Sequence, residues 1–207
     1  MRNCALPLRR WRRSAICIVS PKFLPEADLP SPIADGYAAN MLTALDASPD
    51  KLDRDEQSFV AQVREHGWLR TNVLEEEGSP SFSYTTGFWI NASQPELIMF
   101  GMRSEIAHDV FWDLFRDAKA GRSLPVGSRT DDVFANIPAY VFPVAKRHYR
   151  EHLGWSRWFY GGDSFPCLQV VWSDRHGLFP WQHGFDPAFV NLQPDLTESG
   201  WPASLMN

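Results

Sequence analysis

Cysteine is scarce in this chain, and its spacing excludes two kinds of cross-linked scaffold. The three cysteines, Cys4, Cys17 and Cys167, lie far apart and form no CxxC pair. An odd number at this spacing supports neither a disulfide framework nor a zinc ribbon. We therefore expect a protein of a reducing compartment and predict a cytoplasmic location.

Long apolar runs are also missing, so the sequence predicts no membrane span. None approaches the roughly 18 residues that a spanning helix needs. The basic start of the chain is followed by AICIV, which is shorter than the ~7 to 15 apolar residues of a secretory signal. Four prolines between positions 21 and 32 oppose helices and central strands. We predict that residues 1–40 are a disordered extension and that residues 41–207 form a single domain.

Common catalytic motifs are absent as well. The sequence contains no GxSxG, P-loop, Rossmann fingerprint or HEXXH. His148 and His152 are four residues apart and would share one face of a helix. Two histidines without a third ligand make a weak metal site. We predict no bound metal, and the motifs leave open whether the protein is an enzyme.

Basic residues are too few in the body of the chain to favour nucleic-acid binding. Residues 41–207 contain 14 basic and 22 acidic residues, a net charge of −8. Affinity for nucleic acids depends on clustered Lys and Arg that neutralise phosphates. A protein partner or a neutral small molecule fits this composition better.

The pattern that is present begins with a helix and two strands. In DRDEQSFVAQVREHG, Asp53 and Glu56 have capping-box spacing, and Gly67 is placed to end the helix. The next segments predict strands over Trp68 to Leu74 and Phe82 to Ile90, paired antiparallel across an acidic turn.

Further strands and a second long helix complete the predicted domain. ELIMFGM has the continuous apolar character of a strand buried on both faces, and Ser104 is predicted to cap a helix that ends at Gly121. AYVFPV and CLQVVWSD are strand candidates. The order predicts an α+β fold with a mostly antiparallel sheet, open or barrel-like, packed with two main helices.

Several segments carry a family resemblance. GWLRTNVLEEEGSPSFSYTTGF, PELIMFGM, WFYGG and LQVVWSDRHGLFPW, between about Arg64 and Asp186, resemble the bacterial domain-of-unknown-function family numbered four-two-six-two. That family has a histidine at the position of Gln94, so any role of this histidine has no counterpart here. The resemblance implies no particular activity.

A looser resemblance is to flavin-reductase-like split barrels, which share the order of strands, turn and helix. In those folds, small polar residues at strand ends hold the flavin phosphate. The resemblance implies Ser83, Thr85 and Thr86 as the phosphate ligands and flavin as a possible cofactor.

Four candidate site residues lie in WSDRHGLFPWQHGFD. Asp174, Arg175 and His176 stand near Trp181, and a polar loop beside aromatic residues is typical of a small-molecule pocket. The alternative is a β-turn, in which Asp174 and Gly177 occupy favoured positions and the basic side chains are solvated. The sequence favours the turn for the histidines.

Two further candidates, Tyr84 and Glu96, lie on predicted strands. Tyr84 would be a general acid, although its ordinary pKa of about 10 and strand alternation favour a structural role. Glu96 would take part in chemistry only if it were buried beside Asp174 or Arg175. A buried carboxyl group without a partner would have a raised pKa.

Three functions follow from these residues. The first is a non-catalytic binding module for a protein or small-molecule partner. The second is a flavin or nucleotide binder that uses Ser83, Thr85 and Thr86. The third is a small hydrolase or isomerase that uses Asp174, His176 and Glu96, which requires these three groups to converge.

Overall fold

A computed structural model describes residues 42–206, so the predicted extension over residues 1–40 lies outside the described residues. The six strands of its single sheet are β1 (Leu69–Val73), β2 (Phe82–Thr86), β3 (Glu96–Phe100), β4 (Arg129–Thr130), β5 (Ala139–Pro143) and β6 (Cys167–Trp172). The α-helices of the described residues are α1 (Arg54–His66), α2 (Phe88–Ala92), α3 (Ser104–Lys119), α4 (Tyr149–His152), α5 (Gly154–Phe159) and α6 (Trp201–Ser204). None of these helices is long and apolar enough to cross a membrane.

The first long helix has the ends that its sequence predicts. The Asp53 carboxylate accepts hydrogen bonds from the backbone N–H groups of Asp55 and Glu56, both at 3.0 Å. The Glu56 carboxylate in turn accepts from the backbone N–H of Asp53 at 2.8 Å. Gly67 ends α1 in the left-handed region, with φ of 80°. The capping box and the glycine stop are therefore confirmed, and the apolar face of α1 is buried.

The sheet is mostly antiparallel, as the sequence predicts. Its strand order is β1-β2-β3-β6-β5-β4, and only β3 and β6 run parallel. Glu96 pairs with Cys167 in that parallel register, so both residues lie at the starts of their strands. The sheet is open, with β1 and β4 at its edges, and the barrel-like alternative is not found.

One predicted strand is shorter than expected because its last third is helical. The strand expected over Phe82 to Ile90 ends at Thr86, and residues 88–92 form α2. Gly87 makes the change of direction with φ of 116°, a conformation that side chains other than glycine rarely adopt. The apolar residues after Gly87 matched a strand pattern, but the chain turns before them.

The predicted cap of the second long helix is also wrong by one residue. Arg103 occupies the N-cap position of α3 and makes no side-chain capping bond, while Ser104 is already helical. The Ser104 hydroxyl instead accepts a hydrogen bond from Nη1 of Arg70 at 3.0 Å. A tertiary contact with β1 thus replaces the local cap.

The sheet is covered on both faces. On one face α3 packs over an apolar cluster that includes Leu97, Leu168 and Val170. On the other face α1, α4 and α5 cover a second cluster built on Tyr84 and Ile98. β3 is therefore buried on both faces, as predicted.

The C-terminal coil is held against the sheet by two buried glutamines. The Gln193 amide accepts from the Trp172 backbone N–H and donates to the Trp172 carbonyl, both at 3.0 Å. The Gln169 amide donates to the Pro194 carbonyl at 2.7 Å. These contacts hold the C-terminal coil against β6.

Candidate binding cleft and the buried Glu96 network

Glu96 is fully buried at the start of β3, where four donors surround its carboxyl group. The backbone N–H groups of Gly87 and Trp89 donate to Oε1 at 2.9 and 3.1 Å. The Thr85 hydroxyl donates to Oε2 at 2.6 Å, and the Tyr160 hydroxyl donates to Oε1. We call these five residues the Glu96 network. It joins β2, α2, β3 and the end of α5 at one point.

The network is protected from water, and this changes the proton affinities of its members. Burial raises the pKa of Glu96, and the four donors offset only part of that rise. Burial also raises the pKa of Tyr160 well above its usual value, and the neighbouring Glu96 charge adds to the rise. Both groups therefore favour their neutral forms more than they would in water.

The three hydroxyl groups proposed to hold a phosphate are engaged inside the protein. Thr85 donates to Glu96, as described above. The Thr86 hydroxyl lies 2.6 Å from that of Ser156, and Ser83 donates to Asn72 Oδ1 at 2.8 Å. All three side chains are buried. The positions expected from the split-barrel resemblance are thus used for internal packing.

The contacts of Tyr84 indicate a structural role. Its hydroxyl accepts a hydrogen bond from the Trp155 backbone N–H at 3.2 Å, at the start of α5. Burial raises the pKa of Tyr84 to about 12, which makes it a weaker acid than a solvated tyrosine. The side chain links β2 to α5.

A cleft opens beside the Glu96 network, between the turn before β3 and the segment after α3. Its volume is about 580 Å³, within the roughly 300 to 1,000 Å³ typical of small-molecule sites. Buried apolar side chains form its floor: Phe88, Leu97, Leu114, Ala118 and Leu168. Polar side chains stand at its rim: Gln94, Asp117, Arg122, Ser123 and Asp132.

The Glu96 network fixes one wall of this cleft. Its bonds to the backbone of Gly87 and Trp89 hold Phe88 between them. Pro95 and Leu97 flank Glu96 in the chain, and both line the cleft. Because Glu96 itself faces away from solvent, its role is to position these residues.

The charges at the rim are partly paired. Arg122 forms an ion pair with Asp117 just beyond the end of α3. The Asp132 carboxylate accepts a hydrogen bond from the Thr130 hydroxyl at 3.2 Å. An apolar floor beneath a polar rim suits a ligand with an apolar body and several hydrogen-bonding groups.

Asp174 lies at the other end of β6 and organises a turn. Its Oδ1 accepts from the backbone N–H groups of His176 and Leu178, at 2.8 and 3.0 Å. Its Oδ2 accepts from the Asp186 N–H at 3.1 Å. Burial alone would raise the pKa of Asp174, but these three donors outweigh it and lower the pKa. This geometry fits the alternative in which Asp174 organises a turn instead of lining a small-molecule pocket.

The other residues of this loop do not form a pocket with Asp174. Arg175 and His176 are exposed, and Arg175 lies 3.7 Å from the carboxylate of Asp186. Trp181 stacks on Phe179, with ring centroids 5.1 Å apart. These aromatic rings belong to a small core cluster over β5 and β6.

The Asp174 loop is also remote from Glu96. Glu96 pairs with Cys167, whereas Asp174 follows Cys167 by seven residues along β6 and the chain beyond it. At about 3.3 Å per residue, this separation is roughly 20 Å. The structure therefore does not bring Glu96, Asp174 and His176 together, and Glu96 is buried beside neither Asp174 nor Arg175.

We expect Asp174→Ala to lower the free energy of unfolding by about 2 to 3 kcal/mol, because three partly buried backbone N–H groups lose a charged acceptor. Arg175→Ala, one residue along the same turn, should change it by about 0.5 kcal/mol or less. Urea denaturation of both variants measures the difference. Equal effects would show that Asp174 does not hold the turn.

The remaining candidates for chemistry have ordinary environments. Cys167 is buried, and burial raises the pKa of its thiol well above the usual value. The rings of His148 and His152 lie 6.2 Å apart. Among residues 42–206, no group of three His, Cys, Asp or Glu side chains is arranged to hold a metal ion.

The fold and the cleft define an α+β domain with an open, mixed sheet and an enclosed carboxyl network. The family model described as "Domain of unknown function (DUF4262)" matches residues 62–186, more than half of the chain. The protein belongs to this family. No curated protein and no solved structure matches the chain significantly, and the split-barrel resemblance is not confirmed.

Sequence reasoning missed two features of the site. Tyr160 is 64 residues from Glu96 in the chain, and no local pattern in the sequence connects the two residues. The cleft itself combines α2, the turn before β3, the end of α3 and the loop beyond it. Its floor residues looked like ordinary core in the sequence because they belong to helices and strands with regular apolar patterns.

Proposed function

We propose that this protein is a non-catalytic binding module and that the cleft beside Gln94 binds a small molecule with an apolar body. The observation that carries the proposal is the cleft, with its apolar floor, polar rim and volume of about 580 Å³. Sites of this size and composition usually bind small organic ligands.

The burial of the polar candidate residues and their internal hydrogen bonds support binding rather than catalysis. Thr85, Thr86 and Glu96 are fully buried and bonded to neighbouring groups. A catalytic acid or base must come within hydrogen-bond distance of its substrate, and these groups face the interior. The titratable groups of the cleft, Asp117, Arg122 and Asp132, line its rim, where Arg122 is paired with Asp117.

A binding module could alternatively bind a protein, because its net negative charge suits a basic protein partner. Basic proteins would be attracted to this charge at long range, and their association rate would fall with added salt. A small-molecule ligand without charge would show little salt dependence. Salt dependence of binding thus separates the two kinds of partner.

We expect Ser123→Trp to abolish small-molecule binding in the cleft. Ser123 is exposed and lines the cleft, so an indole ring there fills space that a ligand needs. Ser128→Trp is the matched control, because Ser128 is also exposed but does not line the cleft. Fragments that bind the full chain are first identified by saturation-transfer NMR, and their affinities for both variants are then measured.

The expected loss of affinity in Ser123→Trp is at least about tenfold, equivalent to about 1.4 kcal/mol. Ser128→Trp should retain the affinity of the unsubstituted protein. If Ser123→Trp binds the fragments as well as the control does, the cleft is not the binding site. If no fragment binds at all, a protein partner becomes the better interpretation.

A further inference from the structure

The rim of the cleft carries an unbalanced charge. Three charged side chains line it, two carboxylates and one guanidinium: Asp117, Arg122 and Asp132. Arg122 forms an ion pair with Asp117, so these two charges largely cancel. Asp132 remains, and the rim has a net charge of −1. A ligand in the cleft therefore meets one uncompensated negative charge.

Basic side chains of the neighbouring segments are engaged with other acids. Arg129, three residues before Asp132, lies 3.6 Å from the carboxylate of Asp131. Arg116, in the last turn of α3, pairs with Asp113. Asp132 forms no ion pair with any residue that the structure describes. It is thus the acid of the rim that lacks a cationic partner.

The position of Asp132 suits contact with a ligand on the apolar floor. The Thr130 hydroxyl accepts from the Asp132 backbone N–H at 3.1 Å and donates to Oδ2 of its carboxylate at 3.2 Å. These bonds orient the side chain and leave Oδ1 open to a further donor. The next residues, Val133 and Phe134, are buried in the apolar cluster that also contains the floor of the cleft. The carboxylate therefore stands at the edge of that floor.

We propose that the cleft binds an organic amine, whose apolar body lies on the floor and whose ammonium group pairs with Asp132. The inference rests on the proposed function, because it names the chemical class of the ligand for the same cleft. A protonated amine has N–H donors and no acceptor, and its bond to a carboxylate is charge-assisted. An anionic ligand would instead be repelled by Asp132 and would have to displace Asp117 from Arg122.

The test compares three small molecules that share a phenethyl body and differ in their polar group: phenethylamine, phenethyl alcohol and hydrocinnamate. Their affinities for the full chain are measured by ¹H–¹⁵N NMR titration at neutral pH and low ionic strength. We expect the amine to bind about threefold more tightly than the alcohol, an effect typical of a single exposed ion pair. The carboxylate should bind most weakly, and added salt should reduce the preference for the amine.

Two variants locate the charge that the amine recognises. Asp132→Asn keeps the shape of the side chain and an acceptor for Thr130 but removes the charge, so amine and alcohol should bind equally. Asp109→Asn is the matched control, because Asp109 is also exposed but does not line the cleft. It removes the same charge from the protein and should retain the preference of about threefold.

The outcomes separate this inference from the proposed function. If fragments occupy the cleft but the amine binds no better than the alcohol, the inference is wrong and the cleft remains a binding site. A preference for the carboxylate would assign recognition to Arg122, and an amine preference that survives in Asp132→Asn would assign it to another acid. Either result overturns the inference alone. If no fragment binds, both proposals are wrong.

Discussion

Glu96→Ala is expected to lower the free energy of unfolding by about 3 to 5 kcal/mol, because four donors lose their acceptor in the protein interior. The donors come from Thr85, Gly87, Trp89 and Tyr160. Since Glu96 on β3 and these donors together join β2, α2, β3 and the end of α5, the loss should be global and should appear in urea denaturation as a lower midpoint.

Glu96→Gln is the matched control for this prediction. Its carbonyl oxygen can still accept from Gly87 and Trp89, and its NH₂ group can donate to the Thr85 hydroxyl oxygen. We expect it to lower the free energy of unfolding by only about 1 kcal/mol. If Glu96→Ala were no more harmful than Glu96→Gln, the network would not be what holds this part of the fold.

The stability of Glu96→Gln should also depend on pH differently from that of the unsubstituted protein. Burial raises the pKa of Glu96 in the folded protein, so ionisation favours the unfolded chain. The contribution of Glu96 is fully present below the ordinary pKa of 4.5 and is lost as the pH rises through the folded pKa. Glu96→Gln does not ionise, and its stability relative to the unsubstituted protein should therefore increase above about pH 4.5. A relative stability that falls with rising pH would mean that the folded pKa is lowered instead.

The second large effect is expected for Gly87→Ala. Gly87 has φ of 116°, and a Cβ atom there would lie 2.6 Å from the carbonyl oxygen of Gly67 and 2.9 Å from Cα of Trp68. Both obstacles are backbone atoms, so they cannot move aside as a flexible side chain can. We expect a loss of roughly 3 to 5 kcal/mol from the combined backbone strain and steric overlap.

Gly121→Ala separates the two causes. Gly121 has φ of 80°, and an added Cβ would meet nothing within 4 Å. This variant should show only the backbone cost of about 1 to 2 kcal/mol. Thermal unfolding of both proteins measures the difference, and equal losses would show that the close approach of Gly87 to Gly67 is not important.

The elements that the sequence predicts correctly are those with local causes. Asp53, Glu56 and Gly67 act within one helix, and the apolar run of β3 requires only that both faces of the strand are covered. Antiparallel pairing of β1 and β2 follows from two strand patterns joined by a short turn. Each of these signals lies within a few residues of the structure it produces.

The features that sequence reasoning missed have distant causes. The turn at Gly87 is set by the close approach of Gly67 and Trp68, about 20 residues earlier in the chain. Ser104 lost its predicted capping role to a contact with Arg70 on β1. The parallel pairing of β3 with β6 likewise joins segments about 70 residues apart.

In the candidate site too, features with local causes could be predicted from the sequence and features with distant causes could not. Glu96 was identified as a residue whose burial would matter, and it is buried. Its donors were not identified together, because only Thr85 was a candidate, and Tyr160 reaches it from α5. The hydrolase hypothesis required Glu96 to lie beside Asp174, and this condition is not met because the parallel register places the two residues near opposite ends of β6.

The most direct test of the central claim is to map a bound fragment on the full chain by ¹H–¹⁵N NMR. We expect amide shifts to concentrate on residues around the cleft, such as Leu97, Ala118 and Ser123. Shifts concentrated on the loop around Asp174 and His176 would contradict it and would direct attention back to that loop as the binding site.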